Sequence, residues 1–300
     1  NNNNNNSNII NNNNIHQNNT NSQLAQSIPN RPHMGEAQWE AEVRRLFVQE
    51  RRPGDAVTLT APSSGLMRCY VKRHKNMIGQ TTHFSLFLNS GLHLMSARKR
   101  KKSKTPNIIF GLGNEEIFKD TCFCKLRANY SSTEFTLCSR NPRNNEYEVE
   151  EEGIVFQYMN SVNRSGPARI LTILPSPDIP PATPGRGGDR SLLGSLSSAM
   201  RRELSPAQEH RLSLLSSRPP EWDEEVKTYT LDFKGRVRES SVKNFQLVAW
   251  DHKADRRGSD LLLQFGRQDD STFILDFAYP FNAMRAFAAA IAGATSVGKH

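Results

Sequence analysis

Four kinds of residue pattern are scarce in this 300-residue chain, and the first three shortages each remove a class of protein. There are four cysteines, Cys69, Cys122, Cys124 and Cys138, without the paired C-x-x-C spacing and second ligand cluster of a structural zinc site. Nothing reads as a secretory signal, so disulfides are not expected and the thiols read as buried or idle. No run reaches the roughly 18 uninterrupted apolar residues of a spanning helix, which predicts a soluble protein or one that sits on a membrane surface. Catalytic signatures are missing too. His74, His83 and His93, and Asp251 with His252 in "WDHKADRRG", have neither metal-motif spacing nor a nucleophile elbow. "GLGNEE" lacks the G-x-G-x-x-G pattern. No catalytic residue, metal ligand or cofactor is therefore expected.

The most pointed shortage is of acid. From Arg68 to Lys104 there is no Asp or Glu, while Arg68, Lys72, Arg73, Lys75, Arg98, Lys99, Arg100, Lys101, Lys102 and Lys104 are all basic. Those ten charges exceed the net +9 of the whole chain. A field so local implies a polyanionic partner.

What is present divides the chain. Residues 1–34, rich in Asn, have too few apolar side chains to offset their ordering entropy and read as a disordered tail. Residues 35–53 hold Trp39, Val43, Leu46 and Phe47 near helical spacing, a short helix and linker expected to dock on the main domain. From residue 54 to 300 short β-rich segments follow one another, among them "MRCYVKRH", "EFTLCSR", "GIVFQYMN", "TYTLDFKGRV" and "STFILDFAY". About a dozen strands with hairpin-length turns predict a largely antiparallel sandwich or barrel. The Pro-, Gly- and Ser-rich stretch at about 178–218 reads as a flexible insertion holding at most a marginal helix. "YPFNAMRAFAAAIAGATS", 279–296, is apolar nearly all round but too short to span a bilayer. A helix enclosed by the barrel satisfies that pattern, and its many Ala residues suit a narrow lumen.

These blocks resemble the tubby-like family. The resemblance runs from about Ala56 to the C-terminus outside 178–218, on "ARKRKKSKT", "CKLRANYSSTEFTL", "GPARILTILP", "YTLDFKGRVRESSVKNFQLV", "LLLQFGR" and "FILDFAYPFNAMRAFAAAIA". It implies a closed, mostly antiparallel twelve-stranded barrel around a central C-terminal helix. It also implies non-catalytic binding of phosphoinositides, notably phosphatidylinositol 4,5-bisphosphate in the cytoplasmic leaflet, by a monomer released when the lipid is hydrolysed. Matching its motifs places the headgroup at Lys101, Asn107, Lys125 and Arg127. Arg98, Lys99, Arg100, Lys102 and Lys104 are left as a basic, membrane-facing surface, worth about 1 kcal/mol per residue near an anionic leaflet. Lys125 and Arg127 are two apart, so a strand points both the same way. The resemblance further implies residence in the cytoplasm and at the cytoplasmic face of the plasma membrane, with nucleus or cilium as further sites. A protein partner engaged through the N-terminal region belongs to the same picture.

One departure stands out. The family has a further Arg just before the strand matching "GIVFQYMN"; here Val149 holds that place, amid Glu146, Glu148, Glu150, Glu151 and Glu152. Arg140 and Arg143 are the nearby replacements, and weaker headgroup affinity or a different preferred lipid is expected. The rival function is nucleic-acid binding or transcription regulation through the same basic surface. No groove-reading helix, finger or interleaved aromatics accompany the run, so only non-specific nucleic-acid binding is expected.

Overall fold

In the sequence the β-branched and aromatic residues come in short alternating runs, and the chain folds them into one closed sheet. The structure, a computed structural model, describes residues 34–100, 105, 107–118, 120–158, 168–178, 191–225 and 227–296. Eight strands come first: β1 (Met67–Lys75), β2 (Thr81–Leu88), β3 (His93–Lys99), β4 (Ile108–Leu112), β5 (Cys124–Ala128), β6 (Glu134–Arg140), β7 (Tyr147–Tyr158) and β8 (Ala168–Pro175). After them come β9 (Leu212–Ser217), β10 (Glu221–Asp223), β11 (Thr228–Thr230), β12 (Phe245–Asp251), β13 (Arg256–Arg267) and β14 (Thr272–Phe277). Twelve close a barrel in the order β1-β14-β13-β12-β9-β8-β7-β6-β5-β4-β3-β2, and β10 and β11 form a separate two-stranded sheet. All barrel neighbours run antiparallel. Closure leaves no free sheet edge.

The lumen is filled by α5 (Ala283–Thr295), whose residues from Ala283 to Gly293 are all buried. Asn282 caps its start by accepting from the Arg285 N–H at 2.9 Å. At its other end the Lys243 ammonium donates to the Ser296 carbonyl, a cation where the helix dipole is negative. The fit is tight: a Cβ on Gly293 would lie 2.6 Å from the Phe245 ring. Enclosure of the 279–296 helix is as the sequence predicts.

The segment with Trp39 packs against the barrel. α1 (Glu36–Arg44), a π-helical turn (Arg45–Gln49) and α2 (Pro53–Thr58) bury Trp39, Val43 and Leu46, with Trp39 edge-on to Phe277 at 5.7 Å. The backbone then meets the start of α5, with Thr60 bridging Asn282 and Ala61 N–H donating to Phe281 at 2.8 Å. This marks the lower rim of the barrel. The β1–β2 and β5–β6 turns lie on the opposite, upper rim, with Arg100 and Asn107 at the top of β3 and β4 between them.

Two segments differ from their sequence reading. β9, "LSLLSS", lies inside the interval read as an insertion, yet it is a barrel strand between β8 and β12. Its Ser216 and Ser217 are buried and bonded to neighbours, which lets a Ser-rich run serve as wall. The same interval carries α3 (Leu192–Met200), whose Leu192, Leu196 and Ala199 bury against Leu171, Ile173 and Trp250 on the outer wall, and α4 (Pro206–His210). Conversely, most of "TYTLDFKGRV" is not strand. Beyond Thr230 it turns at Lys234 (φ 50°) and Gly235 (φ 73°), with the Asp232 carboxylate accepting the Lys234 N–H at 2.7 Å. Arg236 then pins it to the wall through a bidentate pair with buried Asp276, at 2.7 and 3.0 Å.

Candidate functional site

Alternation decides which β5 side chains meet solvent. Cys124 and Leu126 are buried in the core, so Lys125 and Arg127 point out of the wall. The register continues outward across neighbours, with Ile109 of β4 opposite both Lys125 and Arg98. Where β3 and β4 separate, the Arg100 N–H still donates to the Asn107 carbonyl at 2.8 Å, holding both residues at the top of the pair.

Between them is a cavity of about 150 Å³ lined by Arg100, Asn107, Ile108, Ile109, Lys125 and Arg127. Three cationic side chains and one amide meet there, on an apolar floor, with no acidic residue in the lining. The cations are braced from below. The Lys125 ammonium lies 3.4 Å from the centroid of the Tyr147 ring, a cation–π contact. The Arg140 guanidinium lies 4.6 Å from the same ring. Tyr147 is anchored through its hydroxyl, which donates to the Cys122 carbonyl and lies 3.0 Å from the Cys122 sulfur. Burial, then the bond to Cys122, pushes the phenol up, so it stays neutral. Arg127 gives one N–H to the Tyr147 carbonyl at 3.0 Å. A guanidinium carries five N–H donors in a fixed fork, so this bond orients the plane while using one.

Of the headgroup residues expected from the sequence, Asn107, Lys125 and Arg127 come together at this cavity. Lys101 lies outside the described residues, as do Lys102 and Lys104 of the basic surface. Arg100, expected on that surface, is exposed and also lines the cavity. Lys99 is exposed at the end of β3, whereas Arg98 is half-buried and donates twice to the Ile117 carbonyl, bracing the β4–β5 connection. Arg140 is placed behind Tyr147 rather than in the cavity lining, and Arg143 sits in the β6–β7 connection.

The Glu run beside Val149 is largely committed elsewhere. Glu150 accepts the Leu192 N–H at the start of α3 at 2.6 Å, where a helix favours negative charge. Glu151 pairs inside the barrel with Arg285 at 2.8 Å, and Glu152 is fully buried. Glu148 accepts from Asn144 at 3.1 Å. The sequence reading put Arg100 on the basic surface without assigning it to the headgroup, and it missed the Tyr147 brace. Arg100 was open to detection, since its parity with Arg98 places both on the outer face of β3. The brace was not, because it joins residues 22 positions apart through a third strand.

With this geometry in view, the Tub family profile matches residues 57–295. The chain belongs to the Tub family. It is 32% identical over 238 residues to Tubby-related protein 2 of Homo sapiens, covering 74% of this chain and 44% of that protein. It is 30% identical over 261 residues to Tubby-related protein 1 of Homo sapiens, 81% of this chain and 46% of that one. With Tubby protein homolog 1 of Caenorhabditis briggsae it shares 28% over 244 residues, 75% and 56%. The chain spans about half the length of the curated relatives it matches. Among the described residues no helix is long and apolar enough to cross a membrane.

Proposed function

We propose that this Tub-family chain is a non-enzymatic adaptor that binds phosphoinositide headgroups, phosphatidylinositol 4,5-bisphosphate foremost, at the cytoplasmic face of the plasma membrane. The observation that carries this reading is the convergence of Arg100, Asn107, Lys125 and Arg127 on one small cavity without acidic lining. Cations held close together in fixed positions repel one another, and a polyvalent anion relieves that repulsion. Arg127 offers a planar fork to one phosphate, Lys125 a compact point charge to another, and Asn107 an amide donor for a phosphate oxygen or ring hydroxyl. The apolar floor of Ile108 and Ile109 lowers the local dielectric and strengthens each contact.

A compact cavity suits a headgroup better than a tracked polymer backbone, which needs an extended groove with stacking aromatics. Attraction of the remaining basic residues to an anionic leaflet supplies a second, weaker signal. Two such signals make a stable but reversible anchor, and hydrolysis of the lipid removes one of them.

The test is co-sedimentation of the chain with vesicles at about 0.15 M salt, where the Debye length is about 8 Å. Phosphatidylinositol 4,5-bisphosphate vesicles are compared with phosphatidylserine vesicles of equal surface charge. Preference for the bisphosphate, lost about 100-fold in Lys125→Ala/Arg127→Ala, is the expected result; that factor is about 2.8 kcal/mol, within reach of two charge-assisted hydrogen bonds. Equal binding to both lipids that the substitutions leave unchanged would point instead to a general polyanion surface, open to nucleic acid.

A further inference from the structure

The strand order places three features side by side on the upper rim: the β1–β2 turn, the adjoining ends of β3 and β4, and the β5–β6 turn. In the middle, Arg100 and Asn107 line the cationic cavity. Each flanking turn exposes large apolar side chains where turns ordinarily carry Gly, Asn, Asp or Ser. On one side Met77 is fully exposed and Ile78 is 76% exposed; on the other Tyr130 is 87% exposed.

Both turns are stiff. The Asn76 side-chain carbonyl accepts the Ile78 and Gln80 N–H groups at 3.2 and 2.8 Å, and the backbone closes through Asn76 N–H to Gln80 at 2.9 Å. Asn129 repeats the device, accepting from Thr133 and Glu134 at 2.9 and 3.2 Å. The apolar side chains are thus held away from the barrel, and the fold gains nothing from them.

Charge around the β1–β2 turn is one-sided. Lys72, Arg73 and Lys75 lead into it, and no acid occurs between Arg68 and Lys104. The β13–β14 turn on its far flank carries Asp269 and Asp270. The Asp269 carboxylate is occupied by the Ser271 and Thr272 N–H groups at 2.7 and 2.8 Å, and Asp270 is paired with Arg267. An apolar tip rising from a cationic base matches an anionic bilayer, whose surface is charged and whose interior is hydrocarbon.

We infer that Met77 and Ile78 insert into the bilayer as a wedge beside the cavity, with Tyr130 settling at headgroup depth on the other side, so that the cavity is pressed onto its lipid. This rests on the headgroup reading above and adds to it a sense of orientation. A Tyr ring has an apolar body and a polar tip, which suits the interface. Insertion is shallow, and its strength follows the apolar area buried.

The experiment uses the whole chain. The native thiols are all buried, so Ile78→Cys takes an environment-sensitive fluorophore at one place. Vesicles contain phosphatidylcholine, phosphatidylserine and phosphatidylinositol 4,5-bisphosphate, with brominated lipid as quencher. Emission from the labelled Ile78→Cys protein is expected to shift to the blue and be quenched. Unlabelled Met77→Ser/Ile78→Ser is expected to bind these vesicles about tenfold more weakly, yet to bind soluble inositol trisphosphate as the parent does. A label that stays in water on vesicles that hold the protein overturns the wedge and leaves the tip to a protein partner. So does unchanged vesicle affinity of the double Ser variant. If the parent ignores the soluble headgroup while the label still inserts, the cavity reading fails and the wedge stands. Binding to no vesicle overturns both.

Discussion

The barrel handles cations in opposite ways on the two sides of its wall. In the lumen Arg285 projects from α5 and is nearly buried, but Glu151 meets it at 2.8 Å, Pro175 supplies a carbonyl at 3.3 Å, and Glu152 lies close enough to feel its charge. Outside, Arg100, Lys125 and Arg127 share a cavity with no acid in its lining. A compensated cation is a structural element whose partner is already present. A cluster of like charge with no acid in its lining is, on the proposed reading, a seat for an anion that arrives from outside. The first arrangement should matter to stability and little to binding, and the second should do the reverse.

The sharpest way to break the comparison is Arg285→Ala. Removing one partner of a buried ion pair leaves Glu151 charged and unpaired in the lumen, which costs about 3–5 kcal/mol. Chemical denaturation is expected to show a loss of that size. A loss below about 1 kcal/mol would mean that solvent or rearrangement replaces the guanidinium, and the lumen would not be a closed electrostatic system.

Glu152 sharpens the same point through pH. Its carboxyl is raised well above the ordinary 4.5, first by burial and then by neighbouring Glu151, against the pull of Arg285. A folded-state pKa above the unfolded one means that the folded state holds the proton more tightly. The associated stability is complete below about pH 4.5 and is lost as pH rises towards the folded value. One such proton gives a slope of up to about 1.4 kcal/mol per pH unit. Glu152→Gln keeps the shape without the proton, so it should be more stable than the parent at neutral pH, by a margin that grows with pH. Denaturation curves of the two proteins across this range check it; a constant difference would show that Glu152 does not carry the linkage.

The sequence exposed these two sides unequally. The lumenal helix was legible because "AMRAFAAAIAGAT" is apolar on every face, and the wall because strand periodicity is local. Lys125 and Arg127 were legible as a same-face pair for the same reason. β9 was not, since its Ser216 and Ser217 take their partners from residues 40 or more positions away. The alternation in "TYTLDFKGRV" misled because Asp232, Lys234 and Gly235 turn the chain after a single short strand. The Glu run beside Val149 looked like a threat to an anion site. Only the fold shows Glu150 spent on a helix start, Glu151 on Arg285 and Glu152 inside the barrel. A charge in sequence has a sign but no direction, and direction decides whether it reaches the cavity.

The smallest expected effect concerns the cavity when empty. Lys125 and Arg127 are on the outer wall, so Lys125→Ala/Arg127→Ala should change folding stability by no more than about 0.5 kcal/mol. The change should be least unfavourable at low ionic strength, where loss of mutual repulsion between the cavity cations offsets the lost contacts to Tyr147. A ligand that binds only the folded state raises apparent stability by RT ln(1 + [L]/Kd). Inositol trisphosphate should therefore raise the melting temperature of the parent and leave that of the double variant where it was. If the double substitution costs as much stability as Arg285→Ala, the outer cations are bracing the wall through Tyr147, and the distinction between the two sides collapses. If both proteins are stabilised equally by the headgroup, the anion binds elsewhere on the basic surface, and the cavity loses its claim to it.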